Sequence, residues 1–151
     1  MLIGIGCDHT ALSMKEAIMK HLGERGFETR DYGVYSPERS NYPEIAEKVG
    51  RAVAAGECGK GIVICGTGVG IGIAANKIPG IRCAICSEPY SAVMSRRHNN
   101  ANMLALGARV IGEEAAKMIA DMWLDAEYEG GRHQIRVDML AELDGRRPEH
   151  P

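Results

Sequence analysis

A chain of 151 residues, 45% hydrophobic and 25% charged, has the size and balance of one ordinary soluble domain, able to bury about 70% of its extended surface. Its net charge of −2 excludes a strong general attraction to nucleic acid. No run approaches the roughly 18 apolar residues of a membrane span, and the N-terminus lacks a charged start before a long apolar core, so a cytoplasmic protein is expected. Cys7, Cys58, Cys65, Cys83 and Cys86 are an odd set too sparse for a disulfide scaffold, which suits a reducing compartment.

Leu2 to Gly6 reads as a short apolar first strand, with Cys7, Asp8, His9 and Thr10 at its carboxyl end. Ala11, Met14, Ile18 and Leu22 then recur at helical spacing until Gly26. Ligands of open α/β sheets sit beyond the carboxyl ends of strands, which makes Asp8 and His9 candidate ligand groups. Asp8 also reads as a helix N-cap, but Thr10 or Ser13 could take that task. Phe27 to Tyr32 is a second strand, Gly33 to Pro43 a polar loop, and Glu44 to Ala55 a second helix through Ile45, Val49 and Val53.

The most informative stretch runs from Gly61 to Lys77, where an apolar run meets four alternating glycines and then an alanine-rich segment. Ile62, Val63 and Ile64 lack polar alternation, as in a central parallel strand buried on both faces, and Cys65 falls at its carboxyl end. Gly66, Gly68, Gly70 and Gly72 leave backbone N–H groups open to a ligand, with Ile73 to Lys77 beginning a helix. Such a loop suits an anion, and Cys65 beside it reads either as a small core residue or as a thiolate held by loop donors. The spacing matches neither the dinucleotide fingerprint, since Gly70 arrives one residue early, nor the phosphate loop, since Lys77 is followed by Ile78.

Pro79-Gly80 turns the chain into a fourth strand, Ile81 to Cys86. Cys83 and Cys86 are three apart in it and point to opposite faces, which argues against a metal or redox pair. Glu88 to Arg97 is a fourth helix ending at His98 and Asn99; His98 is a surface cap or, favoured as a cation by the helix end, a proton donor. Met103 to Leu106 forms a fifth strand with Arg109 at its outlet, and Gly112 to Glu127 a fifth helix. Arg132 to Leu143 reads as a final helix, striped by Ile135, Met139 and Leu143. Arg132 and Arg136 share one of its faces, either solvated or converging on a phosphate. The expected fold is one three-layer α/β/α domain over 1–143, with a Rossmann-like doubly wound sheet of five parallel strands and an extra C-terminal helix. Residues 144–151 read as a flexible tail.

Taken together, Cys7-Asp8-His9, the loop from Cys65 to Lys77, Ser87 to Tyr90, Arg97-His98-Asn99 and Gly130 to Arg136 closely resemble the type B ribose-5-phosphate isomerases, from Ile3 to about Leu143. The wider family also includes isomerases of galactose 6-phosphate and allose 6-phosphate. The resemblance implies that Cys65 moves a proton between C2 and C1 of the sugar, that His98 assists ring opening, and that Asp8 and Thr67 contact the reacting end. It implies that His9, Arg132 and Arg136 bind phosphate, and that Asn99 and Arg109 complete a site shared between two subunits of a homodimer, with further pairing into tetramers left open. Loop N–H groups from Gly66 through Thr67, Gly68 and Val69 to Gly70 are suited to stabilising an enediolate without metal or organic cofactor. Some relatives carry a glutamate base at the position of Ile71, so this chain resembles the cysteine branch. Ala11, Leu12 and Gly72 depart from the family pattern, the first two at positions expected to wall the sugar. The rival readings are a hexose 6-phosphate isomerase and a non-catalytic sugar-phosphate sensor, with neither a nucleic acid nor a membrane as partner.

Overall fold

Strands without polar alternation need cover on both faces, and the computed structural model, which describes residues 1–145, supplies it. The elements alternate as β1 (Leu2–Cys7), α1 (Leu12–Glu24), β2 (Glu28–Asp31), α2 (Tyr42–Ala54), β3 (Lys60–Cys65), α3 (Val69–Ala75), β4 (Cys83–Ile85), α4 (Pro89–Asn99), β5 (Met103–Gly107), α5 (Glu113–Asp125) and α6 (Arg132–Asp144). All strand pairs are parallel, in the order β2-β1-β3-β5-β4.

Successive strand residues feed two separate cores. Ile5, Ile62, Ile64, Leu104 and Leu106 pack with α1, α4 and α5 around the fully buried Trp123. Val63, Cys65, Met103 and Ala105 pack with Ile45, Val49 and Val53 of α2 and Ile71 and Ala75 of α3. Cys83 and Cys86 fall one in each core, as expected of residues three apart in an extended strand.

The edge strands are shorter than the apolar pattern predicts, because each has a single neighbour. β4 pairs only with Met103 to Ala105. Beyond β2 the chain stays tied to β1 through Tyr32 N–H to Ile5 O (2.8 Å) and Val34 N–H to Cys7 O (2.8 Å). Lys15, almost wholly buried on α1, pins this segment through Asp31 (2.8 Å) and the Val34 carbonyl (2.6 Å).

The last helix lies against α4 and buries only His133 and Val137. Its apolar stripe is open in the single chain, with Ile135, Met139 and Leu143 exposed by 67%, 59% and 57%. Asp144, assigned to the tail from sequence, closes this helix and accepts from the Gly80 N–H at 2.8 Å. The rest of the expected tail, from 146, lies outside the described residues. Among the described residues no helix is long and apolar enough to cross a membrane.

Candidate active site

The chain leaves β1 for β2 on one side and returns to place β3 on the other, so the sheet has its switch point between the carboxyl ends of β1 and β3. Asp8 and Cys65 stand there, joined through the backbone by Asp8 N–H to Ile64 O at 3.0 Å. Cys65 is 5% exposed, and its Sγ accepts a hydrogen bond from the Gly68 N–H at 3.1 Å, a donor of the kind that stabilises negative charge on sulfur. Gly68 makes this contact with φ of 78°, and a methyl group there would stand 2.8 Å from the Leu106 carbonyl carbon. Two bonds from the outlet of β5 fix the same turn: Ala108 N–H to Cys65 O and Arg109 N–H to Gly66 O, both 2.9 Å.

The Arg109 side chain and the Thr10 hydroxyl both border the vacant side of Gly66, each 3.6 Å from where a Cβ would sit. Thr67 is exposed, and its hydroxyl accepts from the Val69 N–H at 3.2 Å. The helix after this turn begins at Val69, four residues earlier than the sequence reading placed it, so Gly70 and Gly72 are helical. Their missing side chains serve packing: a methyl group at 70 would stand 2.7 Å from the Tyr42 ring, and one at 72 would strike Ile85. Ligand access along the loop therefore centres on Gly66 to Gly68. The N–H groups of the first turn, Gly70 included, still lack intrahelical acceptors.

Asp8 is buried and uses Oδ1 to accept from both the Thr10 N–H (2.9 Å) and the Thr10 hydroxyl (2.6 Å). Neither Thr10 nor Ser13 caps α1, whose N-cap Ala11 has no side chain to offer. His9 Nδ1 accepts from the Ser40 N–H at 3.2 Å, a bond that puts the proton of the neutral ring on Nε2. A cleft of about 490 Å³ opens here, lined by Asp8, His9, Arg39, Ser40, Asn41, Tyr42 and Pro43. Sequence reasoning missed Arg39, Ser40 and Tyr42, although a connection from β2 to α2 must emerge on this rim. Ala11 and Leu12, expected to wall the sugar, instead pack into the core on the α1 side of the sheet.

The remaining candidates are elsewhere. A helix that follows a parallel strand runs back antiparallel to it, so α4 starts at the carboxyl rim and ends where β5 begins. His98 and Asn99 therefore sit at the amino rim, about 15 Å along the strand direction from Cys65 of the same chain. There His98 stacks on His133, with ring centroids 4.2 Å apart and planes at 11°. Glu129 faces both rings, its Oε2 standing 3.8 Å from His98 Nε2 and 3.4 Å from His133 Nε2, while Arg97 grips Oε1. Arg132 and Arg136 are exposed on the first turns of α6 beside this cluster, and the Asn99 carbonyl accepts from Arg82 at 3.0 Å. Among the described residues, His98, Glu129 and His133 are the one group of three such side chains close enough to share a metal ion.

Three thiols outside the cleft are held in their protonated form. Burial pushes Cys7 up to about 11, Cys83 to about 12 and Cys86 to about 11.

A doubly wound α/β domain with a thiol, a carboxyl group and hydrogen-bond donors at its switch point belongs to the class of enzymes that act on small polar metabolites. More narrowly, the chain belongs to the ribose/galactose isomerase family, whose model matches residues 3–140. It is 57% identical over 145 residues to ribose-5-phosphate isomerase B of Escherichia coli (strain K12), covering 96% of this chain and 97% of that protein. The fold is similar to that of Clostridium thermocellum ribose-5-phosphate isomerase B, with a TM-score of 0.95, 52% identity and coverage of 97% of this chain and 99% of that one. It is also similar to ribose-5-phosphate isomerase B of Mycoplasma genitalium with bound ribulose-5-phosphate, with a TM-score of 0.92, 37% identity and coverage of 97% of each chain.

Proposed function

We propose that this protein interconverts ribose 5-phosphate and ribulose 5-phosphate through an enediolate, with Cys65 as the base and the active site completed by a second copy of the chain. The observation that carries the reading is Cys65 Sγ, held at 3.1 Å by the Gly68 N–H at the switch point beside Asp8.

Starting from the aldose, the Cys65 thiolate takes the proton from C2. The C2–H electron pair forms the C1–C2 double bond, and negative charge passes to the oxygen on C1. Donors along the Cys65 loop stabilise that charge, each worth about 3 kcal/mol when aimed at the developing oxyanion. The proton on the C2 hydroxyl moves to the C1 oxygen, with Asp8 and Thr67 placed to assist. Cys65 then returns its proton to C1, giving the ketose. His9, presenting Nε2–H, helps hold the phosphate.

Ring opening needs an acid, and His98 fills that role from the other subunit, because its own Cys65 is on the opposite rim. Arg132 and Arg136 arrive from the same direction as phosphate ligands, with Asn99 beside them. Arg109, beside its own Gly66, serves the site from within the chain. The exposed stripe of Ile135, Met139 and Leu143 supports a homodimer, since a partner subunit would cover it. Five free cysteines fit a cytoplasmic location.

Metal-free protein is to be assayed on ribose 5-phosphate, allose 6-phosphate and galactose 6-phosphate. The expected result is the highest kcat/KM for ribose 5-phosphate. A preference for either hexose phosphate overturns the substrate assignment, and tight binding without turnover of any of the three overturns catalysis.

A further inference from the structure

We propose that His98, Glu129 and His133 form a binding site for a divalent transition-metal ion of the zinc class, and that occupancy slows turnover of cyclic ribose 5-phosphate by sequestering His98. The metal is an inhibitor here and takes no part in the proton transfers. The binding claim stands on the geometry of the cluster; the inhibitory claim rests on the role given to His98 above.

The three ligand atoms, two imidazole nitrogens and a carboxylate oxygen, lie within 4.8 Å of one another. Ligands about 2.0–2.1 Å from a tetrahedral zinc stand about 3.3 Å apart, close to the 3.4 Å between Glu129 Oε2 and His133 Nε2. A second observation points to the same place. His133 is 7% exposed and its Nε2 is buried without a hydrogen-bond partner. Coordination would give that atom the directed partner it lacks.

The carboxylate of the cluster is held in place from two sides. Arg97 holds Glu129 Oε1 through a hydrogen bond of 2.6 Å from its Nε and leaves Oε2 as a single-oxygen ligand. Glu129 N–H also donates to Arg97 O at 3.0 Å, which fixes the loop to the end of α4. Two histidines and one carboxylate form a set that zinc accepts, with a fourth position left for water.

Two features limit the affinity. Stacked rings keep their nitrogen lone pairs in two parallel planes, so one ring must tilt for both to share an ion. His98, with 37% of its side chain exposed, is the ring with room to do so. Arg132 and Arg136 add positive charge nearby, on the first turns of the helix that carries His133. Binding is therefore weaker than in a closed structural zinc site. The paired thiols Cys83 and Cys86 offer no rival site, since they lie on opposite faces of the sheet.

The test is calorimetric titration of chelator-treated full-length protein with zinc sulfate, paired with activity on ribose 5-phosphate at each zinc concentration. The wild type and Cys65→Ala should each bind one zinc ion per chain with similar affinity, because the site does not use the catalytic thiol. Glu129→Gln and His133→Asn, confirmed as folded by thermal melting, should each bind at least tenfold more weakly. Wild-type inhibition should follow occupancy, reverse with chelator and require at least tenfold more zinc in either variant. Absence of saturable uptake by Cys65→Ala, or unchanged affinity in both cluster variants, overturns the site. Saturation without inhibition overturns the inhibitory claim and counts against His98 as the ring-opening acid, while leaving Cys65 as base untouched.

Discussion

The two rims of the sheet hold their polar groups by different means. At the carboxyl rim the backbone fixes the side chains: Gly68 N–H on Cys65 Sγ and Ser40 N–H on His9 Nδ1. At the amino rim the side chains hold one another, with His98 stacked on His133 and Glu129 gripped by Arg97. The difference matches the tasks proposed for them. A base that must meet one carbon-bound proton tolerates little displacement, whereas phosphate ligands and a ring-opening acid at helix ends can adjust as a partner surface docks.

The contrast can be broken most severely at Cys65. Cys65→Ala is expected to lower kcat by about 10³-fold or more while shifting stability by only about 1 kcal/mol. Wild-type turnover by the purified variant would remove the base from the account. Next in size is the backbone that holds it. Gly68→Ala forces a side chain onto φ of 78° and against Leu106, and displacing the loop should cost about 100-fold in kcat. Gly80→Ala is the control, since φ of 84° there strains the chain with no atom within 4 Å, so activity should survive.

His98→Asn should have a smaller and one-sided effect. A loss of about 10- to 100-fold is expected with cyclic ribose 5-phosphate, and little loss from open-chain ribulose 5-phosphate. Equal losses in both directions, after correction for equilibrium, would contradict the division of labour between the rims. The mildest probe is alkylation at pH 8, read by mass spectrometry. Cys65 should react and be protected by a sugar phosphate, while Cys7, Cys83 and Cys86, pushed up to about 11 to 12, stay unmodified.

Much of the carboxyl rim was legible in the sequence. An apolar run without alternation, ending in a thiol and then glycines, identifies a buried strand and its outlet, and Asp8 follows from the same logic one strand earlier. Local pattern failed where the reason for a residue was tertiary. Gly70 and Gly72 look like part of a ligand loop until Tyr42 and Ile85 are seen against them. Ser40 and Tyr42 sit in a stretch with no periodicity, although chain order alone puts that connection on the working rim. At the other end, Glu129 and His133 lie more than 30 residues beyond His98, and nothing local couples them; the packing of α6 on α4 and the bonds from Arg97 to Glu129 do.

The account's central claim is that each site takes its base from one chain and its ring-opening and phosphate-binding groups from another. Mixing inactive Cys65→Ala protein with inactive Arg132→Ala plus Arg136→Ala protein tests it directly, under conditions where exchange of a labelled subunit is measured in parallel. Composite sites predict that each mixed dimer regains one of its two sites, so fully exchanged equal mixtures should recover about a quarter of wild-type activity. Complete exchange with no recovered activity would contradict the claim, as would a sedimenting monomer with full activity at assay concentration.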